Sequence, residues 1–131
     1  MESSLLKRLP PEVERLKEVL LKDSNVLFAY LFGSYAAGLQ CKESDVDLAV
    51  YFKEALRPLE LLDYLHFLSE VAGRDVHLVP LNSASPFLKF QVLKTGLPLV
   101  VRNREALASF KERVMVEREE YLWMRKVSDG R

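Results

Sequence analysis

Two apolar runs joined by a short polar connection constrain this chain most: VLFAYLF over 26–32 and DVDLAVYF over 45–52. Both are short and rich in aromatic and β-branched residues, so both read as strands rather than helices. The connection opens with Gly33-Ser34, continues through YAAG, which suits one helical turn closed by Gly38, and ends in the polar loop QCKES. It is too short for a helical crossover, so the strands are expected to pair antiparallel. Asp is a poor strand former, yet Asp45 and Asp47 both lie in the second run. Local rules tend to break at functional sites.

The remaining segments alternate in type. Pro10-Pro11 opens a helix whose apolar face is Val13, Leu16, Val19 and Leu20, and Asp23-Ser24-Asn25 stops it. RPLELLDYLHFLSEVAG reads as a second full helix, with Pro58 in its first turn, Gly73 past its end and a stripe of Leu61, Leu62, Leu65, Leu68 and Val71. DVHLVPL (75–81) is the third predicted strand, with Asp75, His77 and Val79 on one face. Ser85 caps a short helix begun by Pro86 and ended near Gly96. LPLVV (97–101) is a strand that Pro98 confines to an edge or a strand start. A long helix is expected from Asn103 to about Lys126, with frayed residues after it. Its stripe is Leu107, Phe110, Val114, Tyr121 and Met124, while Val116, Trp123 and Val127 lie off it. The order α-β-β-α-β-α-β-α predicts an α/β (α+β) fold with a mixed sheet, in one domain spanning 1–131.

Composition excludes several classes. Lys plus Arg and Asp plus Glu both number 19, so there is no excess of positive charge for strong nucleic-acid binding. The single cysteine, Cys41, permits neither an internal disulfide nor a cysteine-rich zinc site. MESSLLKRLPPEVERL has no signal-peptide core and no apolar run approaches bilayer length, so a cytoplasmic protein without a membrane partner is expected.

Asp45 and Asp47, two apart on a strand, project from one face. Two adjacent carboxylates repel unless a cation lies between them, and hard oxygen donors suit Mg²⁺, which shares its shell with substrate phosphates. Asp75 starts another strand. If that strand neighbours the first, three carboxylates face one cavity, enough for two metals about 3.5–4 Å apart and in-line phosphoryl transfer. Gly33 lets the backbone approach a phosphate, and the Ser34 hydroxyl adds a donor. Alone, Gly-Ser is an ordinary turn and DxD an ordinary surface pair; the combination on consecutive strands is far more specific.

Gly33-Ser34, ten intervening residues, then Asp45-Val46-Asp47 resemble the GS-x10-DxD motif of the DNA polymerase β-like nucleotidyltransferase superfamily. The longer string FGSYAAGLQCKESDVDLAV is similar to the minimal nucleotidyltransferase (MNT) family, which commonly acts as the antitoxin of a HEPN-domain toxin. The resemblance extends over nearly the whole chain. It implies a small polymerase β-like fold, and Asp45, Asp47 and Asp75 as catalytic and metal-binding residues for two Mg²⁺ ions. It further implies ATP held at Gly33 and Ser34 with Ser44 assisting, and AMP transfer to a hydroxyl, the acceptor being a tyrosine of the HEPN partner. One departure concerns Ala36-Ala37-Gly38, where the family often has Ala-Arg-Gly. The arginine's positive charge is missing, and Lys42 is the nearest basic residue of the loop.

His77 shares the face of Asp75 but reads as a structural histidine, since no second histidine stands at metal spacing. His66 reads as surface or packing, Arg74 as surface charge pointing away from Asp75, and Cys41 as a loop residue without a role. Three functions remain open: a protein adenylyltransferase, an antitoxin that neutralises its partner by binding alone, and a small-molecule nucleotidyltransferase working as a homo-oligomer.

Overall fold

The computed structural model describes residues 9–130; the first eight residues, which carry part of the segment read above for a signal peptide, and Arg131 lie outside them. Helix α1 (Pro11–Lys22) starts on its proline pair and leads through an Asp23 turn into β1 (Val26–Phe32). A one-turn helix, α2 (Gly33–Ala37), follows without a break and is closed by Gly38 in the left-handed conformation. Strand β2 is Val46–Phe52, α3 is Pro58–Ala72, β3 is Val76–Pro80, α4 is Pro86–Thr95, β4 is Leu97–Val101, and α5 is Arg104–Gly130. Ser85 caps α4 as expected, its hydroxyl accepting from the Leu88 amide at 3.2 Å.

The four strands form one mixed sheet in the order β3-β2-β1-β4. β1 pairs antiparallel with β2 and β4, and β2 pairs parallel with β3. Pro98 sits on an edge strand, where its missing N–H costs least. The alternation predicted for β2 holds. Val46, Leu48, Val50 and Phe52 pack in one core with Leu16 and Leu20 of α1 and Leu68 of α3. On the opposite face Phe28, Tyr30, Ala49 and Val79 pack with Val92 of α4 and Leu107, Phe110 and Val114 of α5. Phe28, Tyr51 and Phe110 form an aromatic cluster there, with centroids 5.0–5.3 Å apart.

Several expectations need correction. β2 and β3 begin one residue later than read, so Asp45 and Asp75 stand just before their strands. Leu62 is 46% exposed, because the sheet and α1 together cover only one side of α3 around Leu68 and Ala72. Tyr121 and Met124 are exposed because the sheet ends below Val114, and α5 continues past the core to Gly130 instead of fraying after Lys126. Among the described residues no helix is long and apolar enough to cross a membrane.

Candidate active site

The register of the sheet builds the site. Phe32 at the end of β1 pairs with Asp47 of β2, and Asp47 pairs with His77 of β3. The three residues form one row across three strands, on the sheet face that α4 and α5 cover further along. The Asp47 side chain is 23% exposed, so its carboxylate sits at the margin of that cover.

Gly33 directly follows the row. Its φ is +74°, and a Cβ built there would stand 2.1 Å from Asp47 Oδ2. Backbone conformation and space therefore both demand glycine. The Gly-Ser turn and the second aspartate, with twelve residues between them in the chain, are in direct apposition. Ser34 begins the turn that holds Tyr35 inward, and its carbonyl accepts from the Leu39 amide at 2.9 Å.

His77 Nδ1 lies 3.2 Å from Asp47 Oδ1, and its ring stands 6.5 Å from that of Phe32. The side chain is 64% exposed. His77, read from the sequence as a hydrogen-bonded structural histidine, has Asp47 as its hydrogen-bonding neighbour. Asp45 and Asp75 each precede the matched pair Val46 and Val76, and the Asp75 carbonyl accepts from the Val46 amide at 3.0 Å. Both are exposed at the same end of the sheet. The expected carboxylates thus share one end, but among the described residues no three His, Cys, Asp or Glu side chains close on a point as metal ligands would.

Arg74 also departs from its expected role. Its Nη1 donates to the Tyr35 hydroxyl at 2.7 Å and to the Ser44 carbonyl at 2.9 Å, and its guanidinium lies 6.0 Å from the Tyr35 ring centroid. The Tyr35 hydroxyl in turn donates to Glu12 Oε2 at 2.6 Å. One guanidinium thereby ties α1, the turn after Gly33 and the loop before Asp45 to the start of β3. Burial, with the Glu12 bond second, pushes the Tyr35 phenol up to about 12, and that same bond holds Glu12 below the ordinary carboxylate value. Ser44 closes the loop, its hydroxyl accepting from the Cys41 amide at 2.8 Å. Cys41 is exposed, and the Ser44 hydroxyl bond lowers its thiol pKa.

The profile of the "Polymerase beta, Nucleotidyltransferase" family matches residues 14–105, from α1 to the start of α5. The chain belongs to this nucleotidyltransferase family. A relative from Methanocaldococcus jannaschii, named provisionally as a protein adenylyltransferase, is 34% identical over 89 residues, 68% of this chain and 96% of its own. The protein adenylyltransferase MntA of Shewanella oneidensis is 38% identical over 82 residues, 61% of this chain and 59% of that protein. Among solved structures, a toxin–antitoxin crystal structure with AMP-PNP has a chain that matches with a TM-score of 0.75 at 26% identity, over 88% of this chain and 93% of that one.

For a nucleotidyltransferase the arrangement is chemically suitable. The donor set at the sheet end is hard carboxylate oxygen, which fits a divalent cation that leaves sites for phosphate oxygens. Glycine at 33 keeps side-chain bulk away from the Asp47 carboxylate. A cation held there by Asp45 and Asp47 would supply positive charge to offset that of phosphate oxygens.

A separate apolar concavity of about 290 Å³ lies between α4 and α5, lined by Phe87, Phe90, Arg118 and Tyr121 among others. It shares no residue with the site.

Proposed function

We propose that this nucleotidyltransferase moves AMP from ATP to a hydroxyl, that of a tyrosine, on a HEPN-type toxin partner, with Mg²⁺, and so acts as the antitoxin in the cytoplasm. The observation that carries this reading is the apposition of Gly33 and the Asp47 carboxylate, which joins a phosphate-approach turn to a cation-binding side chain. The protein adenylyltransferase name of the MntA relative supports a protein acceptor, and the AMP-PNP of the toxin–antitoxin structure supports an adenine nucleotide.

In this reading Asp45 and Asp47 hold the cations, Gly33 and Ser34 receive the terminal phosphates, and Ser44 keeps the loop in place beside Asp45. The acceptor oxygen attacks the α-phosphorus. A new phosphoester bond forms, the bond from the α-phosphorus to its bridging oxygen breaks, and pyrophosphate leaves. Asp75, just before β3, takes the hydroxyl proton.

A second reading, neutralisation by contact alone, draws on one observation: among the described residues no three His, Cys, Asp or Glu side chains gather as metal ligands would. Mass spectrometry of the HEPN-type partner after incubation with this protein, ATP and Mg²⁺ separates the two. Adenylyl transfer predicts a gain of AMP units on a tyrosine, lost with Asp47→Asn. A stable, neutralised complex without mass gain would establish contact alone. Transfer to an added aminoglycoside in place of the partner would instead establish a small-molecule enzyme.

A further inference from the structure

We propose that His77 is a ligand of the cation held by Asp47, so that the site has a mixed nitrogen and oxygen shell and binds Mn²⁺ more tightly than Mg²⁺. This rests on the nucleotidyl-transfer reading of the same site. The first support is register. The residue directly beside Asp47 on the parallel neighbour is His77, whereas Asp75 precedes the next pair outward. The second is distance. His77 Nδ1 and Asp47 Oδ1 are 3.2 Å apart. Two donors on adjacent corners of an octahedral shell stand about 3 Å apart when metal–ligand bonds are about 2.1 Å long. An ion can therefore bind both atoms with small side-chain rotations.

The third support is exposure. With 64% of its side chain accessible, the imidazole carries no core-packing role that would hold it away from an incoming ion. Asp47 is confined on its other side, where Oδ2 faces Gly33, so Oδ1 and the imidazole share the open side. Mg²⁺ prefers oxygen and gains little from an imidazole, whereas first-row transition ions accept nitrogen readily. Mg²⁺ remains competent through Asp45 and Asp47, and His77 adds affinity for Mn²⁺.

The test uses the full chain with Mn²⁺ and a non-hydrolysable ATP analogue, read by electron spin-echo envelope modulation. Directly coordinated ¹⁴N should appear, change on ¹⁵N-histidine labelling, and vanish in His77→Gln; the other histidine, His66, lies on α3. Competition titration should give His77→Gln at least about a tenfold loss of Mn²⁺ affinity with Mg²⁺ affinity unchanged. His77→Asp should remove the nitrogen signal and raise Mg²⁺ affinity. Asp47-dependent Mn²⁺ binding without a histidine nitrogen signal would overturn the assignment of His77 and leave the nucleotidyl-transfer reading standing. Absence of any Asp47-dependent Mn²⁺ or Mg²⁺ binding with nucleotide would overturn both.

Discussion

At Gly33 the backbone turns with φ +74° while Asp47 Oδ2 occupies the space that a Cβ would need. Gly33→Ala must relax the backbone and displace the carboxylate together. The expected cost is about 1–3 kcal/mol in urea unfolding, with loss of nucleotide-dependent activity. Full activity in this variant would show that Asp47 tolerates displacement. The Arg74–Tyr35–Glu12 chain makes a separate prediction about pH. Glu12 has a folded pKa below its ordinary value, chiefly through the Tyr35 hydroxyl bond. The group therefore stabilises the fold above the unfolded pKa, and that contribution is lost as the pH falls through the folded one. Between about pH 5 and pH 3 the melting midpoint should fall more steeply in the native chain than in Glu12→Gln. Parallel profiles would remove the bond from the acid-stability account.

On α5, a single helix crosses from core to surface. Phe110 is 2% exposed and touches Phe28 and Tyr51, while Trp123, on the same helix, is 64% exposed. Phe110→Ala should cost about 3–5 kcal/mol, and Trp123→Ala about 0.5 kcal/mol or less, both by urea denaturation. A comparable loss from Trp123→Ala would mean that the end of the helix packs against the chain's own body. The contrast also shows what periodicity conveys. Apolar spacing identified α1, α3 and α5 and the side of each that faces inward. It did not reveal where the sheet stops beneath α5, so Tyr121 and Met124 read as core when only Leu107, Phe110 and Val114 are covered. Strands were more legible: β2 followed its predicted alternation, whereas β1, read only as a buried apolar run, shifts register between Val26 and Phe28, so that Leu27 and Phe28 meet the same core. The candidate site was legible where its placement depends on neighbours in sequence, at Gly33, Asp45 and Asp47. It was illegible where it depends on parallel register, since nothing local aligns His77 with Asp47, and where a long side chain reaches back, as Arg74 does to Ser44 and Tyr35.

For the molecule as a whole, the site lies at one end of the sheet, where β1, β2 and β3 bring Gly33, Asp47 and His77 together, and two further carboxylates stand exposed before their strands. Among the described residues, that end has no closed set of three ligands. A cation alone would gain few protein bonds there, and a triphosphate alone would meet uncompensated carboxylates in a chain of zero net charge. Each lacks what the other supplies, so the two should bind as one complex. Thermal melting measures this coupling. Mg²⁺ or AMP-PNP alone should leave the midpoint nearly unchanged. Together, at about one hundred times the dissociation constant, they should stabilise the fold by about 2.7 kcal/mol, a rise on the order of 10 °C. Asp45→Asn combined with Asp47→Asn should abolish that rise while leaving the unliganded midpoint near or above the native value, because neutral side chains there no longer repel. A full rise with Mg²⁺ alone would mean that the ion site is complete before the nucleotide arrives, and that the carboxylates at the sheet end close more tightly in solution than their exposed positions indicate.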